Sequence, residues 1–390
     1  MNEVKMRRLI VTFPLFFICL YGFSENKKSL EEDIKEVMGD YQAVGVSVAV
    51  IKDNKIVYTN SFGYNPDYND TTLRKSIPIN GKYVIQSISK SFIATAIMQL
   101  VERKKLKLDD DANKYLDFNL RNPKFPKIPI TIRMLLCQRS SINDKHYGWT
   151  FDQIKPTKGK KWQECYNEYK PGTKFSYCNL NYNLLGAIIE NVTGKRFFDY
   201  IDENITDPLS INASFNLTKM DSTLIVKALK YDKKLKSFKQ ENSIYSYEYY
   251  RNKLKNYKLG NTTPCFSPSG GMKISVEDLA KYMMMHMNYG EFNGIKIISK
   301  ESELEMWTPQ GPDNGDNSFF QDYGLSFSRF NNVVEGESFV GVTGGAHGIS
   351  SNIYFNPEKK YGFAVICNGS ITGMKLNNSI VRILYKSLIN

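Results

Sequence analysis

Two spacings of apolar residues alternate along the chain, and the changeovers between them outline its architecture. Residues 44–51 and 55–60 are β-type runs that meet at Asp53-Asn54, a pair suited to tight turns, and they predict a hairpin. From Ser87 the period lengthens: Phe92, Ile93, Ala96, Ile97 and Leu100 share one stripe, which predicts a helix over residues 87–101. Ahead of the hairpin, Ser29-Leu30-Glu31-Glu32 has the form of a capping box that opens a short amphipathic helix to about Met38. Helices over residues 131–137 and 181–192 punctuate a loop-rich stretch. The final third returns to strands at 323–328, 338–343, 350–355 and 361–367 before a closing helix over 375–388. Strands at both ends around a mostly helical middle predict an α/β (α+β) fold, with one sheet assembled from both termini. The implied division is a sheet domain from residues 25–101 and 267–390 and an inserted helical domain from 102–266.

The first 24 residues stand apart from this pattern. Lys5, Arg7 and Arg8 precede an apolar run over residues 9–21, and Gly22 and Ser24 put small residues at the −3 and −1 positions of a cut before Glu25. That is the layout of a signal peptide over residues 1–24, so the mature chain is expected to be exported, periplasmic or secreted. The apolar run is shorter than the ~20 residues of a membrane-spanning helix, and no later stretch reaches that length, so no stable membrane span is expected. Cys19 follows Phe16, Phe17 and Ile18, where a lipoprotein signal would want small residues.

Composition narrows the class without naming a chemistry. The 390 residues are 42% hydrophobic and 24% charged, which excludes disordered, collagen-like and disulfide-scaffold chains. Cys137, Cys165, Cys178, Cys265 and Cys367 are an odd, scattered set, which argues against a disulfide framework. His146, His286 and His347 lie far apart with no HExxH spacing, and neither GxGxxG nor GxxxxGK[ST] occurs. No metal and no organic cofactor is expected. The 52 Lys and Arg against 40 Asp and Glu leave +12, a balance that raises anionic partners until the charges are located.

Three short segments carry chemistry. Ser87-Ile88-Ser89-Lys90 is an SxxK sequence at the start of the apolar helix, where positions i and i+3 stack and bring the Lys90 amine beside the Ser87 hydroxyl. The helix N-terminus adds partial positive charge where an oxyanion would form. A helix cap is the competing reading of Ser87, and a second SxxK at Ser24 to Lys27 has no helix behind it. Tyr177-Cys178-Asn179 is a YxN sequence before the next helix; its phenol acts as a base only where cations hold its pKa below the usual ~10. Asn179 offers an amide to orient lysine or substrate, and alternation turns Cys178 away from both, toward packing. YxN also occurs at Tyr58, Tyr250 and Tyr354, where a buried structural tyrosine is the default. Gly341-Val342-Thr343-Gly344-Gly345 reads as a strand entering a glycine-rich turn. Such glycines admit a ligand to the backbone, although a plain hairpin turn has the same composition.

In this order the three segments resemble the serine β-lactamase and penicillin-binding protein superfamily. Within it they are similar to the class C β-lactamase-related group of β-lactamases, D,D-peptidases, D-aminopeptidases and esterases. Residues 45–50, 131–136, 171–176, 184–186, 269–271 and 323–325 extend the resemblance across residues 33–388. It implies an antiparallel sheet flanked by helices, a helical second domain and a groove between them. It further implies Ser87 as acylated nucleophile, Lys90 as its activating partner, Tyr177 as general base and Asn179 as orienting group. The N–H groups of Ser87 and Gly345 would form the oxyanion hole, with Thr343 and Gly344 on the substrate strand.

The departures matter as much as the matches. The strand triad normally begins with His or Lys, and here Val342 stands there. A valine neither pairs with a substrate carboxylate nor depresses neighbouring pKa values. Gln138 and Ser141 replace a customary His and Gly, and His347, five residues beyond Val342, takes the place of a common Pro as a possible imidazole for the groove. β-Lactams and D-alanyl-D-alanine peptides carry a carboxylate, so Val342 favours other esters or amides without excluding either. Two classes follow: an exported serine hydrolase acting on a small-molecule, peptide or ester substrate, or a degenerate relative that binds cell-wall peptide or another ligand without turnover. Residues 219–258 hold eleven Lys or Arg against four acidic residues, with six tyrosines. That segment reads as a substrate- or envelope-facing patch or a solvated insertion, and no nucleic-acid partner is expected.

Overall fold

The computed structural model describes residues 28–66, 74–241, 246–311 and 322–390. The expected signal peptide and its SxxK at Ser24 lie outside the described residues. Helix α1 (Leu30–Asp40) opens on the capping box read from the sequence: the Glu32 N–H donates to Ser29 Oγ at 3.2 Å and the Glu32 carboxylate accepts from the Ser29 N–H at 2.8 Å. Strands β1 (Gly45–Lys52) and β2 (Lys55–Pro66) form the expected hairpin, turning through Asp53 and Asn54 at φ 51° and 60°. Its second arm runs six residues past the predicted end. After β3 (Arg74–Ser76) and β4 (Tyr83–Val84), a 3-10 turn over Gln86–Ile88 leads into α2 (Ser89–Glu102).

The middle of the chain contributes α3 (Ile132–Leu136), α4 (Asn179–Thr193), α5 (Phe197–Ile201), the hairpin β5 (Leu229–Asp232) and β6 (Ser237–Gln240), and α6 (Tyr247–Lys255). Strand β7 (Lys273–Ile274), α7 (Val276–Met287), the small hairpin β8 (Glu291–Phe292) and β9 (Ile295–Lys296), and α8 (Lys300–Trp307) follow. The C-terminal part supplies β10 (Ser328–Phe330), β11 (Phe339–Ala346), β12 (Ile349–Asn356), β13 (Tyr361–Cys367) and α9 (Met374–Leu388).

One seven-stranded antiparallel sheet joins both ends of the chain, in the order β10-β11-β12-β13-β1-β2-β3. The junction is β1 against β13, with Val46 opposite Cys367 and Val50 opposite Phe363. Both faces of β1 are covered, which explains its unbroken run of buried residues from Gly45 to Ile51: Val46, Val48 and Val50 pack with Ile34 of α1 and Leu376 and Ile380 of α9, while Ala49 and Ile51 join the larger core with α2, α4 and α7. All five described cysteines are buried and free. No helix among the described residues is long and apolar enough to cross a membrane.

Two expectations need correction. The strand expected over residues 323–328 is reduced to its last residue, because the chain folds back on itself: the Gly324 N–H donates to Phe327 O at 2.8 Å, and Ser326 turns to φ 85°. The glycine-rich turn expected after Thr343 is strand instead. Strand β11 runs through Gly344 and Gly345 to Ala346, paired in register with β12, and the turn falls at His347 and Gly348, with φ 53° and 85°.

Candidate active site

Ser87 lies in the 3-10 turn ahead of α2. Gln86 before it is held at φ 52°, a costly region for a residue with a Cβ. Three bonds tie the turn and its flanks to two other parts of the fold: the Ile85 N–H donates to Met272 O at 3.0 Å, Ser351 Oγ to Ile85 O at 2.8 Å, and the Met272 N–H to Ser89 Oγ at 3.1 Å. Gly344 of β11 lies directly against it. A Cβ at that position would stand 2.3 Å from Ile85 O and 2.9 Å from Ser87 N, so only glycine lets the strand approach Ser87 this closely. Gly345 is different: it is exposed, and a Cβ there would meet nothing within 4 Å. Ser87 is not the helix cap, since Ile88 holds that position without a side-chain bond.

The Ser87 hydroxyl meets Lys90 and Tyr177 instead. Lys90 Nζ donates to Ser87 Oγ at 3.0 Å, Asn179 Oδ1 at 2.9 Å and Ser269 O at 2.7 Å. Burial pushes this amine down to about 7, and the charge of nearby Asp144 opposes the fall. As an ammonium Lys90 serves all three acceptors. As a neutral amine it satisfies Asn179 and Ser269 with two N–H groups and has a lone pair for the Ser87 proton. Tyr177 OH donates to Ser87 Oγ at 2.7 Å. Burial, then the neighbouring Tyr323, push this phenol well above its ordinary value, the reverse of what the base role expected for it requires. In this arrangement the phenol is a neutral donor, and the group poised to accept a proton near neutrality is Lys90.

Asn179 is the first residue of α4, which begins two residues earlier than periodicity predicts. Asp144 is the reason. Its Oδ2 accepts from the Asn179 N–H at 2.8 Å and from Asn179 Nδ2 at 2.9 Å, and its Oδ1 from the Leu180 N–H at 3.0 Å. A carboxylate so placed satisfies the orphan donors at a helix start, complements the dipole and turns the Asn179 carbonyl toward Lys90. Gln138 supports the same helix start, its Oε1 accepting from the Cys178 N–H at 3.0 Å and from Asn181 Nδ2 at 2.7 Å. Gln138 and Ser141 both take positive φ, 62° and 61°, which explains in backbone terms why a glycine suits the second position. Cys178 is fully buried, with its thiol 3.2 Å from Asp144 Oδ1, as the packing reading expects. Sequence reasoning missed Asp144, which belongs to no periodic element and lies 35 residues from Asn179.

A narrow pocket of about 10 Å³ opens beside Ser87, lined by Lys90, Tyr177, Val342, Thr343 and residues of the 323–330 segment. Val342 therefore lines the pocket at the strand position where the resemblance implies a cation. His347 is elsewhere: it is exposed in the β11–β12 turn, with Nδ1 3.6 Å from Glu241 Oε2 at the base of the β5–β6 hairpin, and it is not among the pocket-lining residues.

The beta-lactamase family model matches residues 30–384. The chain belongs to the beta-lactamase family. This beta-lactamase-family chain is 26% identical over 365 residues to Protein flp of Staphylococcus aureus (strain N315), an alignment covering 88% of this chain and 64% of flp. The chain thus spans under two thirds of the length of that relative. The octameric penicillin-binding protein homologue from Pyrococcus abyssi has a TM-score of 0.72 at 28% identity, covering 92% of this chain and 76% of that one. D-amino acid amidase from Ochrobactrum anthropi SV3, complexed with D-phenylalanine, has a TM-score of 0.68 at 19% identity, covering 92% of this chain and 98% of that one. The family is one of serine hydrolases, and the fold is β-lactamase/transpeptidase-like.

Proposed function

We propose that this protein is an exported serine hydrolase that transfers the acyl group of an ester or amide to water through a Ser87 acyl-enzyme. The observation that carries the reading is the bracketing of Ser87 Oγ by a buried amine at 3.0 Å and a protonated phenol at 2.7 Å, with the amine pushed down to about 7. Neutral Lys90 takes the Ser87 proton as Oγ attacks the carbonyl carbon, and the N–H groups of Ser87 and Gly345 hold the oxyanion. The leaving oxygen or nitrogen receives a proton from Tyr177. The Lys90 ammonium, 4.9 Å from the phenol ring centre, favours the transient phenolate until the proton is returned. Water then attacks the ester by the reverse path, and Ser87 leaves with a proton. Asn179, fixed by Asp144, keeps the amine oriented throughout. Export is supported by the signal-like layout of residues 1–24. Val342 favours substrates that carry no carboxylate at the strand.

Intact-mass measurement after treatment with a fluorophosphonate, and separately with a penicillin, tests this. Wild type is expected to gain one fluorophosphonate adduct, and Ser87→Ala none. A wild type that gains no adduct would sink the hydrolase reading and leave a ligand-binding relative without turnover.

A further inference from the structure

The hairpin of β5 and β6 carries a charge cluster that acyl transfer does not use. Within residues 229–240, Lys230, Lys233, Lys234, Lys236 and Lys239 are all exposed, and Asp232 is the only acidic residue. That carboxylate is already committed. Its Oδ1 accepts from the N–H groups of Lys234 and Leu235 at 2.9 and 3.2 Å, which shapes the turn, and its Oδ2 pairs with Lys239 Nζ at 2.9 Å. The other four lysines make no ion pair among the described residues. The arrangement works against the hairpin's own stability. Lys230 stands directly opposite Lys239 in the register, a like-charge pair, and Lys236 holds the turn at φ 50°, where glycine is less strained. Lys230, Lys233, Lys234 and Lys239, with Tyr231 and Asp232, line an open hollow of about 400 Å³. A concave surface lined by amines suits anionic groups.

The tip says which anionic partner fits. Leu235, between Lys234 and Lys236, is 59% exposed, more than any other large apolar side chain among the described residues. The cross-strand pair that holds the two arms together is Tyr231 with Phe238, ring centres 5.2 Å apart, and Leu235 has no part in it. An exposed leucine inside a lysine cluster matches the boundary of an anionic bilayer, where headgroup phosphates pair with the amines while Leu235 and the lysine stems reach apolar surroundings. A soluble polyanion would engage the lysines alone, and a second copy of the hairpin would set like charges face to face. We infer that the β5–β6 hairpin docks the protein on an anionic lipid surface. Its root is fixed to the sheet: the Leu229 N–H donates to Asn368 O at 2.9 Å, and Glu241 Oε2 lies 3.6 Å from His347 Nδ1 in the turn after β11. A docked hairpin therefore holds β11, and the sheet with it, at the lipid surface. The inference does not depend on acyl transfer at Ser87.

Co-sedimentation of the whole chain with vesicles of phosphatidylglycerol and phosphatidylcholine in equal parts, against phosphatidylcholine alone, tests this. Wild type is expected to bind the mixed vesicles more tightly, and to release them as salt is raised. Replacing Lys233, Lys234 and Lys236 together by Gln should weaken binding by about 10²-fold, at about fivefold per lysine. Leu235→Ser should weaken it by about three- to tenfold, and Leu235→Trp should add a fluorescence that shifts to the blue with the mixed vesicles. All these positions are exposed, so each variant should keep the wild-type thermal midpoint of unfolding. Failure of wild type to bind the mixed vesicles overturns the inference. So does equal binding by wild type and the triple variant, the result expected if residues 9–21 alone bring the chain to lipid. Binding that Leu235→Ser leaves unchanged, and that soluble polyphosphate displaces, would assign the lysines to a soluble polyanion and overturn the lipid surface.

Discussion

Lys90 on α2 and Lys273 on β7 are each 1% exposed, and burial pushes both amines down to about 7. Neither has a carboxylate bonded to it among the described residues, yet their surroundings give them different work. Lys273 Nζ donates to Phe215 O at 2.8 Å and to Tyr250 OH at 3.0 Å, and lies 4.5 Å from the centre of the Tyr250 ring. Those bonds tie β7 to α6 and to the chain before it. Lys90 also satisfies two fixed acceptors, but its third neighbour is a hydroxyl at the mouth of a pocket. A depressed lysine pKa is therefore a consequence of burial, and becomes a catalytic property only where a nucleophile completes the set.

The widest break in this comparison is to exchange each lysine for methionine, which fills similar space without the amine. Lys90→Met is expected to slow fluorophosphonate labelling of Ser87 by about 10²- to 10⁴-fold, the usual range for a positioned acid–base group. Lys273→Met is expected to stay within about twofold of wild type. Labelling rates read by intact mass decide it, and equal losses in the two variants would mean that both amines act only through the fold.

Titration sharpens the same contrast. In the proposed mechanism Lys90 works as the neutral amine, so the labelling rate should rise as pH passes through about 7 and level off above it. Stability should rise over a wider window. Each lysine binds its proton more weakly in the folded chain than in the unfolded one, where the pKa is about 10.4. Between about pH 7 and 10 the unfolded state therefore holds more protons, and the free energy of unfolding climbs by up to about 1.4 kcal/mol per pH unit for each lysine. Below that window both states are protonated and the gain is absent. Lys273→Met should remove one lysine's share of the slope while leaving the rate profile in place. Urea unfolding at several pH values reads the slope; an unaltered slope in Lys273→Met would show that this amine stays charged inside the fold.

What the sequence made legible follows the range of each interaction. Ser87 and Lys90 could be paired by eye because i, i+3 spacing on a helix is local geometry, and the sheet could be assigned to both termini because β1 and β13 are plain apolar runs. Tyr177 and Asn179 came through the order of motifs, although the direction of the Tyr177 shift depends on burial, which no local pattern carries. The Ser269 carbonyl on Lys90 and the Asp144 carboxylate under α4 are loop groups brought in by tertiary packing. Gly344 and Gly345 look alike in the chain, yet the first is required by the approach of the Ser87 turn and the second borders open space. The apolar alternation over residues 323–328 carries no sign of the positive φ at Ser326 that breaks the expected strand.

The smallest expected effect isolates what Lys90 has and Lys273 lacks, a nearby negative charge. Burial alone accounts for the fall of Lys273, whereas Asp144 holds Lys90 partly up. Asp144→Asn removes that charge and leaves one acceptor oxygen for three N–H donors, so one donor at the start of α4 loses its partner. Without the charge the neutral amine is favoured, and the midpoint of the labelling profile should move to lower pH than in wild type. The plateau rate should fall by about tenfold at most, since Asn179 is less firmly oriented but keeps its carbonyl for Lys90. Lys273 should contribute the same share of the stability slope in this variant as in wild type. A midpoint that rises or stays fixed would mean that Asp144 acts on Lys90 only by placing Asn179, and the distinction between the two lysines would then rest on the Ser87 hydroxyl alone.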